Sequence, residues 1–309
     1  MEDYEKKHAE KPRIHIPDLN KLHIKPFNPA KNLKNDRIVF LIGRRGSGKS
    51  VLEKDLLYYM RDKIDFGIAL TKTLGSEDMF KACMPHEAVK REYIEQQIQQ
   101  LIEHQLAHAH EVGREGIRAV YILFDDMTFD KSIFKGTTIR DVFMNGRHYN
   151  FFFVNSMQYC MDITVDMRSQ IDYVFAMWEP NAKNRRRLWE NFFGIFEDYH
   201  QFEIVFKAMT GHYGALVIDN TANSTKIEDS IFWYKAKPEY YANGYRIGCD
   251  AFWALSRKYY VSNEEKARDV QNGGQYSNQV VAKKRKLHET DVVRADEHGR
   301  EFEEHKKSK

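Results

Sequence analysis

The stretch Arg37-Ile-Val-Phe-Leu-Ile-Gly-Arg-Arg-Gly-Ser-Gly-Lys-Ser-Val-Leu52 reads as a strand, a glycine loop and the start of a helix. Gly43, Gly48, Lys49 and Ser50 stand at the fixed positions of GxxxxGK[ST], the phosphate-binding loop. Gly43, Gly46 and Gly48 let the backbone turn with its N–H groups, that of Ser47 among them, facing an anion. The helix that begins near Lys49 aims its positive end at the same place. By its position Lys49 reaches the β- and γ-phosphates of a nucleoside triphosphate, and the Ser50 hydroxyl holds Mg2+. The flanks agree with the loop. Residues 38–42 are a continuous apolar run, as a strand buried on both faces requires. Val51, Leu52, Leu56, Tyr59 and Met60 recur at helical spacing.

A second apolar run, Ala119-Val-Tyr-Ile-Leu-Phe-Asp-Asp126, ends in two carboxylates. Asp125 is placed to orient Mg2+, and Asp126 to act as general base on the attacking water. A third run, Asn150-Phe-Phe-Phe-Val-Asn-Ser-Met-Gln158, puts an amide at its polar end. Gln158 stands where nucleotidases with an extra strand between the two motif strands keep a γ-phosphate sensor; an amide can both donate to phosphate and accept from water. Asn155 and Ser156 are weaker candidates for that task. Arg147, in Asn145-Gly-Arg-His148, and Arg168, in Asp166-Met-Arg-Ser-Gln170, are candidates for an arginine supplied across a subunit boundary, with Arg147 preferred.

Strand runs at 66–70, 119–125, 150–157 and 173–177 alternate with helical patterns, of which 91–111 is the longest. This predicts an α/β fold of the P-loop NTPase type: a mainly parallel central sheet with an additional strand between the two motif strands, flanked by helices. Runs at 215–219 and 230–235 read as a small C-terminal strand addition. The expected organisation is an N-terminal arm over 1–35, an ATPase domain over 36–260, and a charged, disordered tail over 261–309.

Composition sets looser bounds. The chain has 309 residues, 13% of them aromatic and 30% charged, which permits one large core. A net charge of +3 does not by itself announce a nucleic-acid binder. Lys183, Arg185, Arg186 and Arg187 beside Trp189, and Lys283 to Lys286, form basic clusters that suit either a phosphate backbone or a solvated face. Cys83, Cys160 and Cys249 lie too far apart for a metal motif. His104, His108 and His110 fall on a Gln- and Glu-rich helix and read as a solvated face. With no signal peptide and no apolar run of spanning length, an intracellular, reducing compartment is expected.

The combination of Gly43 to Ser50, Leu123-Phe-Asp-Asp126, Asn145 to His148, Ser156-Met-Gln158 and Arg168-Ser-Gln-Ile-Asp-Tyr-Val-Phe175 resembles the DNA-packaging ATPases of large eukaryotic DNA viruses, the poxvirus-type relatives of the FtsK/HerA translocases. Tyr245-Arg-Ile-Gly-Cys-Asp-Ala-Phe-Trp253 resembles that group's ending, so the likeness spans about 36–253. The resemblance implies a homo-oligomeric ring that hydrolyses ATP with Mg2+ and drives double-stranded DNA into a capsid. Capsid or portal-vertex proteins would then be partners. It carries the nucleotide roles to Lys49, Ser50, Asp125, Asp126 and Gln158, and the trans-acting arginine to Arg147. The second acidic residue is Asp where the wider superfamily usually has Glu. The place of action implied is a cytoplasmic viral assembly site or the virion, with the nucleus as alternative because Lys283 to Lys286 has the form of an import patch. The rival reading is a cellular-type FtsK/HerA-like translocase or hexameric helicase. A small GTPase would need an Asn-Lys-x-Asp segment, which the chain lacks. A nucleoside kinase fits the acidic pair and Gln158 less well, and an ATP-binding scaffold has no need of them.

Overall fold

The structure, a computed structural model, describes residues 22–127, 132–158 and 163–259. The tail over 261–309, Cys160 and the basic run at 283–286 lie outside the described residues. The strands are β1 (Lys25–Pro26), β2 (Ile38–Ile42), β3 (Ile64–Thr71), β4 (Val89–Lys90), β5 (Ala119–Asp125), β6 (Phe151–Met157), β7 (Tyr173–Met177), β8 (Ala215–Asp219) and β9 (Ile231–Tyr234). The helices are α1 (Pro29–Asn32), α2 (Lys49–Met60), α3 (Leu74–Lys81), α4 (Glu95–Val112), α5 (Thr137–Asn145), α6 (Val165–Arg168), α7 (Ala182–Phe192), α8 (Tyr199–Met209), α9 (Ile227–Ser230) and α10 (Asp250–Tyr259).

The strands form one sheet in the order β1-β9-β8-β7-β2-β6-β5-β3-β4. Every neighbouring pair is parallel except β7 with β8 and β8 with β9. Thus β6, the strand that ends at Gln158, is inserted between the loop strand β2 and the acidic strand β5, as the sequence predicts.

The apolar runs follow from a sheet covered on both sides. In β2, Ile38, Phe40 and Ile42 face one core with residues of α4, α5, α7 and α8. Val39 and Leu41 face a second core with residues of α2 and α3. A strand with two buried faces has no polar face to show, so alternation disappears.

Residues 22–35, expected in an arm, fold onto the sheet. Phe27 is buried and sets its ring against Tyr173, Phe175, Phe232 and Tyr234, and β1 extends the sheet by pairing with β9. No helix among the described residues is long and apolar enough to cross a membrane.

Candidate active site

A cleft of about 670 Å3 opens at the carboxyl ends of the parallel strands, where α/β sheets place their ligands. Its lining includes Gly46, Gly48, Lys49 and Ser50 from the loop, Asp125 and Asp126 from the end of β5, and Gln158 from the end of β6. The loop conformation depends on glycine. Gly48 has φ 95°, in the left-handed region. A Cβ on Gly43 would lie 2.7 Å from Ser47 Oγ and 2.9 Å from Met177 Cβ, so only hydrogen fits between β2 and the returning loop. Ser47 is buried and its hydroxyl points to the Met177 sulfur at 3.7 Å, so its side chain belongs to the loop's packing.

The Lys49 ammonium donates to the carbonyl oxygens of Gly43 at 2.6 Å and Arg44 at 3.3 Å. Burial lowers its pKa, against the pull of Asp126, Asp125 and Glu53, which raise it. Asp125 is buried, and its Oδ2 accepts from the Thr71 hydroxyl at 3.1 Å. Thr71 closes β3, the other neighbour of β5, and so fixes the carboxylate from the side. Ser50 and Asp125 offer the hard oxygen donors that Mg2+ takes together with phosphate oxygens and water.

Asp126 follows β5 with φ 54°, a left-handed conformation outside glycine. Its backbone N–H donates to the Ser156 carbonyl at 2.9 Å, which holds the turn. The Gln158 amide nitrogen donates to Asp126 Oδ2 at 2.7 Å. The amide retains its oxygen and the carboxylate its second oxygen as acceptors for a water. Asn155 and Ser156 do not join them. Both are fully buried within β6, and the Asn155 amide and Ser156 hydroxyl have no hydrogen-bond partner among the described residues.

Arg147 is not brought to this cleft. It pairs with buried Asp172, which also accepts from the Ile38 backbone N–H at 2.9 Å, at the opposite ends of the parallel strands. Arg168 ends the short α6, half-buried, and is not part of the cleft lining either. In the basic cluster, Arg185 is a buried anchor: its guanidinium binds Glu203 and the carbonyls of Glu179 and Pro180. Arg186 lies over the Tyr199 ring.

Sequence reading missed several site-adjacent residues, Thr71 and Glu53 among them. Thr71 carries no motif, and only the pairing of β3 with β5 puts it beside Asp125. Glu53 is fully buried on α2, and neither carboxylate oxygen has a hydrogen-bond partner among the described residues. Burial and, secondarily, the charge of Asp125 push its pKa well above the usual carboxylate value, while Lys49 opposes them. The available signal was its position in the apolar stripe with Leu56, Leu57 and Met60, where a carboxylate is out of place.

A glycine loop on a helix start, an acidic pair one strand beyond an inserted strand, and an amide closing that strand define a P-loop NTPase of the additional-strand class. No protein-family model matches the chain. Uncharacterized protein 088R of Invertebrate iridescent virus 3 is 30% identical over 233 residues, 75% of this chain and 88% of that protein. Uncharacterized protein 075L of Invertebrate iridescent virus 6 is 30% identical over 252 residues, 79% of this chain and 96% of that protein. The chain belongs to the family that these viral proteins represent. Among solved structures, the genome packaging NTPase B204 from Sulfolobus turreted icosahedral virus 2 aligns with a TM-score of 0.48 at 19% identity, covering 66% of this chain and 98% of that one. EssC (ATPases 2 and 3) from Geobacillus thermodenitrificans aligns with a TM-score of 0.40 at 12% identity, covering 50% of this chain and 34% of that one.

Proposed function

We propose that the chain is an ATPase that drives double-stranded viral DNA into a capsid as a homo-oligomeric ring. The observation that carries the catalytic part is the convergence of Lys49, Ser50, Asp125, Asp126 and Gln158 on one cleft from three adjacent strands. The packaging part rests on the order of the motifs along the chain and on relatives that are viral proteins.

In this reading the loop amides and Lys49 bind the β- and γ-phosphates, so Lys49 must leave the carbonyls it now contacts. Ser50 and Asp125 hold Mg2+, which neutralises charge on the phosphates. Asp126 takes the proton of the attacking water, and Gln158 orients that water against the terminal phosphate. Arg147 of the neighbouring subunit supplies positive charge to the transferring phosphoryl group, which ties hydrolysis to assembly. DNA is held through its phosphates and without sequence preference. The work takes place at a viral assembly site in the host cytoplasm, with capsid proteins as partners.

The test is ATP hydrolysis by full-length protein with and without long double-stranded DNA at low salt, with the mass of the assembled state measured in parallel. We expect DNA-stimulated turnover by a ring, and loss of at least about a hundredfold in kcat/KM for Lys49→Ala, as expected when a phosphate-binding cation is removed. Undiminished hydrolysis by Lys49→Ala overturns the site. A rate indifferent to DNA overturns the motor, and unwinding of duplex DNA moves the assignment to a helicase.

A further inference from the structure

The segment Gly211-His-Tyr-Gly214 turns the chain from α8 into β8 through two consecutive left-handed residues, His212 at φ 51° and Tyr213 at φ 64°. Histidine, like asparagine and aspartate, enters this region comparatively readily, but a bulky side chain such as that of Tyr213 does so rarely, and such outliers concentrate at ligand sites. The turn is fixed at both ends. The Thr210 hydroxyl donates to the Phe206 carbonyl at 2.7 Å, and the Gly214 N–H donates to the Gly211 carbonyl at 2.9 Å. The strained turn leaves Tyr213 69% exposed, yet its ring lies over the phosphate loop: a Cβ built on Gly48 would be 3.3 Å from Tyr213 Cδ1. Tyr213 also lines the nucleotide cleft, as does Val51, itself 46% exposed on the first turn of α2.

Strand order gives the cleft a direction. Asp126 and Gln158, which the proposed function sets at the terminal phosphate, end β5 and β6 on one side of β2. Tyr213 leads into β8 on the other side of β2, beyond β7. With the phosphate chain seated on Gly48 and Lys49 and its end at Asp126, the nucleoside leaves the loop on the β8 side.

We propose that Tyr213 is the platform on which the nucleobase stacks, with Val51 as its apolar neighbour. The proposal rests on reading the cleft as a nucleotide site. A ring face recognises the π-face of a base without reading its edge, so the phenolic oxygen is dispensable and the ring is not.

The test measures the affinity of full-length protein for ATP and for inorganic tripolyphosphate, both with Mg2+, by calorimetry. Wild type is compared with Tyr213→Phe, which keeps the ring, and Tyr213→Asn, which removes it while tolerating the left-handed backbone. Tyr213→Asn is expected to weaken ATP about 5- to 100-fold, the range for losing one base-stacking aromatic, with tripolyphosphate bound as in wild type. Tyr213→Phe is expected to bind both ligands as wild type does. Unchanged ATP affinity in Tyr213→Asn, or an equal loss for both ligands, overturns the platform while leaving the phosphate site standing. A wild-type protein that binds neither ligand overturns the nucleotide reading and the platform with it.

Discussion

Asp126 and Glu53 are two carboxyl groups near one lysine with opposite environments. Asp126 is half-exposed, turned into the cleft by a left-handed backbone and held by Gln158. Asp126→Asn keeps the shape of that contact and removes the proposed base. It is expected to lower kcat by about 10²- to 10⁴-fold, the usual share of general-base catalysis, with nucleotide affinity retained; equilibrium binding beside steady-state turnover checks both halves. Glu53 is sealed behind the loop, and its pKa is raised well above 4.5. A group whose folded pKa is raised contributes its stability fully below the unfolded value and loses it as pH climbs through the folded one. The neutral isostere Glu53→Gln is therefore expected to gain in melting temperature over wild type as pH rises from 5 to 8. A gap that stays constant across that range would show that the folded protein does not raise the pKa of Glu53.

At the scale of elements, α2 holds the loop at its start and is held by the C-terminal strand addition along its length. Buried Asp55 accepts from the Tyr234 hydroxyl on β9 and from the Lys237 backbone N–H at 3.0 Å. Tyr245 donates to the Lys54 carbonyl at 2.6 Å, and Tyr241 to the Val51 carbonyl at 3.2 Å. Three tyrosines thus tie successive turns of the phosphate-loop helix to the segment after β8. Tyr234→Phe leaves one oxygen of a buried carboxylate without its donor, which costs about 1–3 kcal/mol. Denaturant unfolding is expected to show that loss. The apolar residues of α2 were legible from periodicity, but which of them face the core was not: Val51 is exposed and Leu57 is fully buried. The basic run of α7 was legible as charge, whereas its division into a buried anchor at Arg185 and cations elsewhere depends on Glu203 arriving from α8.

At the scale of the molecule, the sheet separates Arg147 from its own cleft. β2 spans five residues, at ~3.3 Å each, and Arg147 meets Asp172 at its far end. In the proposed ring, an arginine so placed can reach a nucleotide site only in a neighbouring subunit. Lys49→Ala and Arg147→Ala proteins are each expected to be inactive. Mixed, they are expected to recover a fraction of wild-type turnover, because some boundaries then join an intact Arg147 to an intact Lys49. If Arg147 serves only as the partner of Asp172, its removal lowers stability without that recovery, and a titration of mixed subunits distinguishes the outcomes.

The sequence by itself determined the strand runs that build the sheet's centre, the loop and acidic pair, and the amide at the end of a strand. These features are local: a phosphate loop needs glycines next to one another, and a strand buried on both faces needs an unbroken apolar run. The strand ending at Gln158 was legible as one inserted between β2 and β5; only the tertiary structure decided that the Gln158 amide donates to Asp126. The same holds for Thr71 beside Asp125, for Glu53 sealed without a partner among the described residues, for Phe27 in the core, and for Tyr213 over Gly48. Each of those contacts joins residues far apart in the chain through strand order, and strand order is set by which faces pack together, a property that no single segment carries.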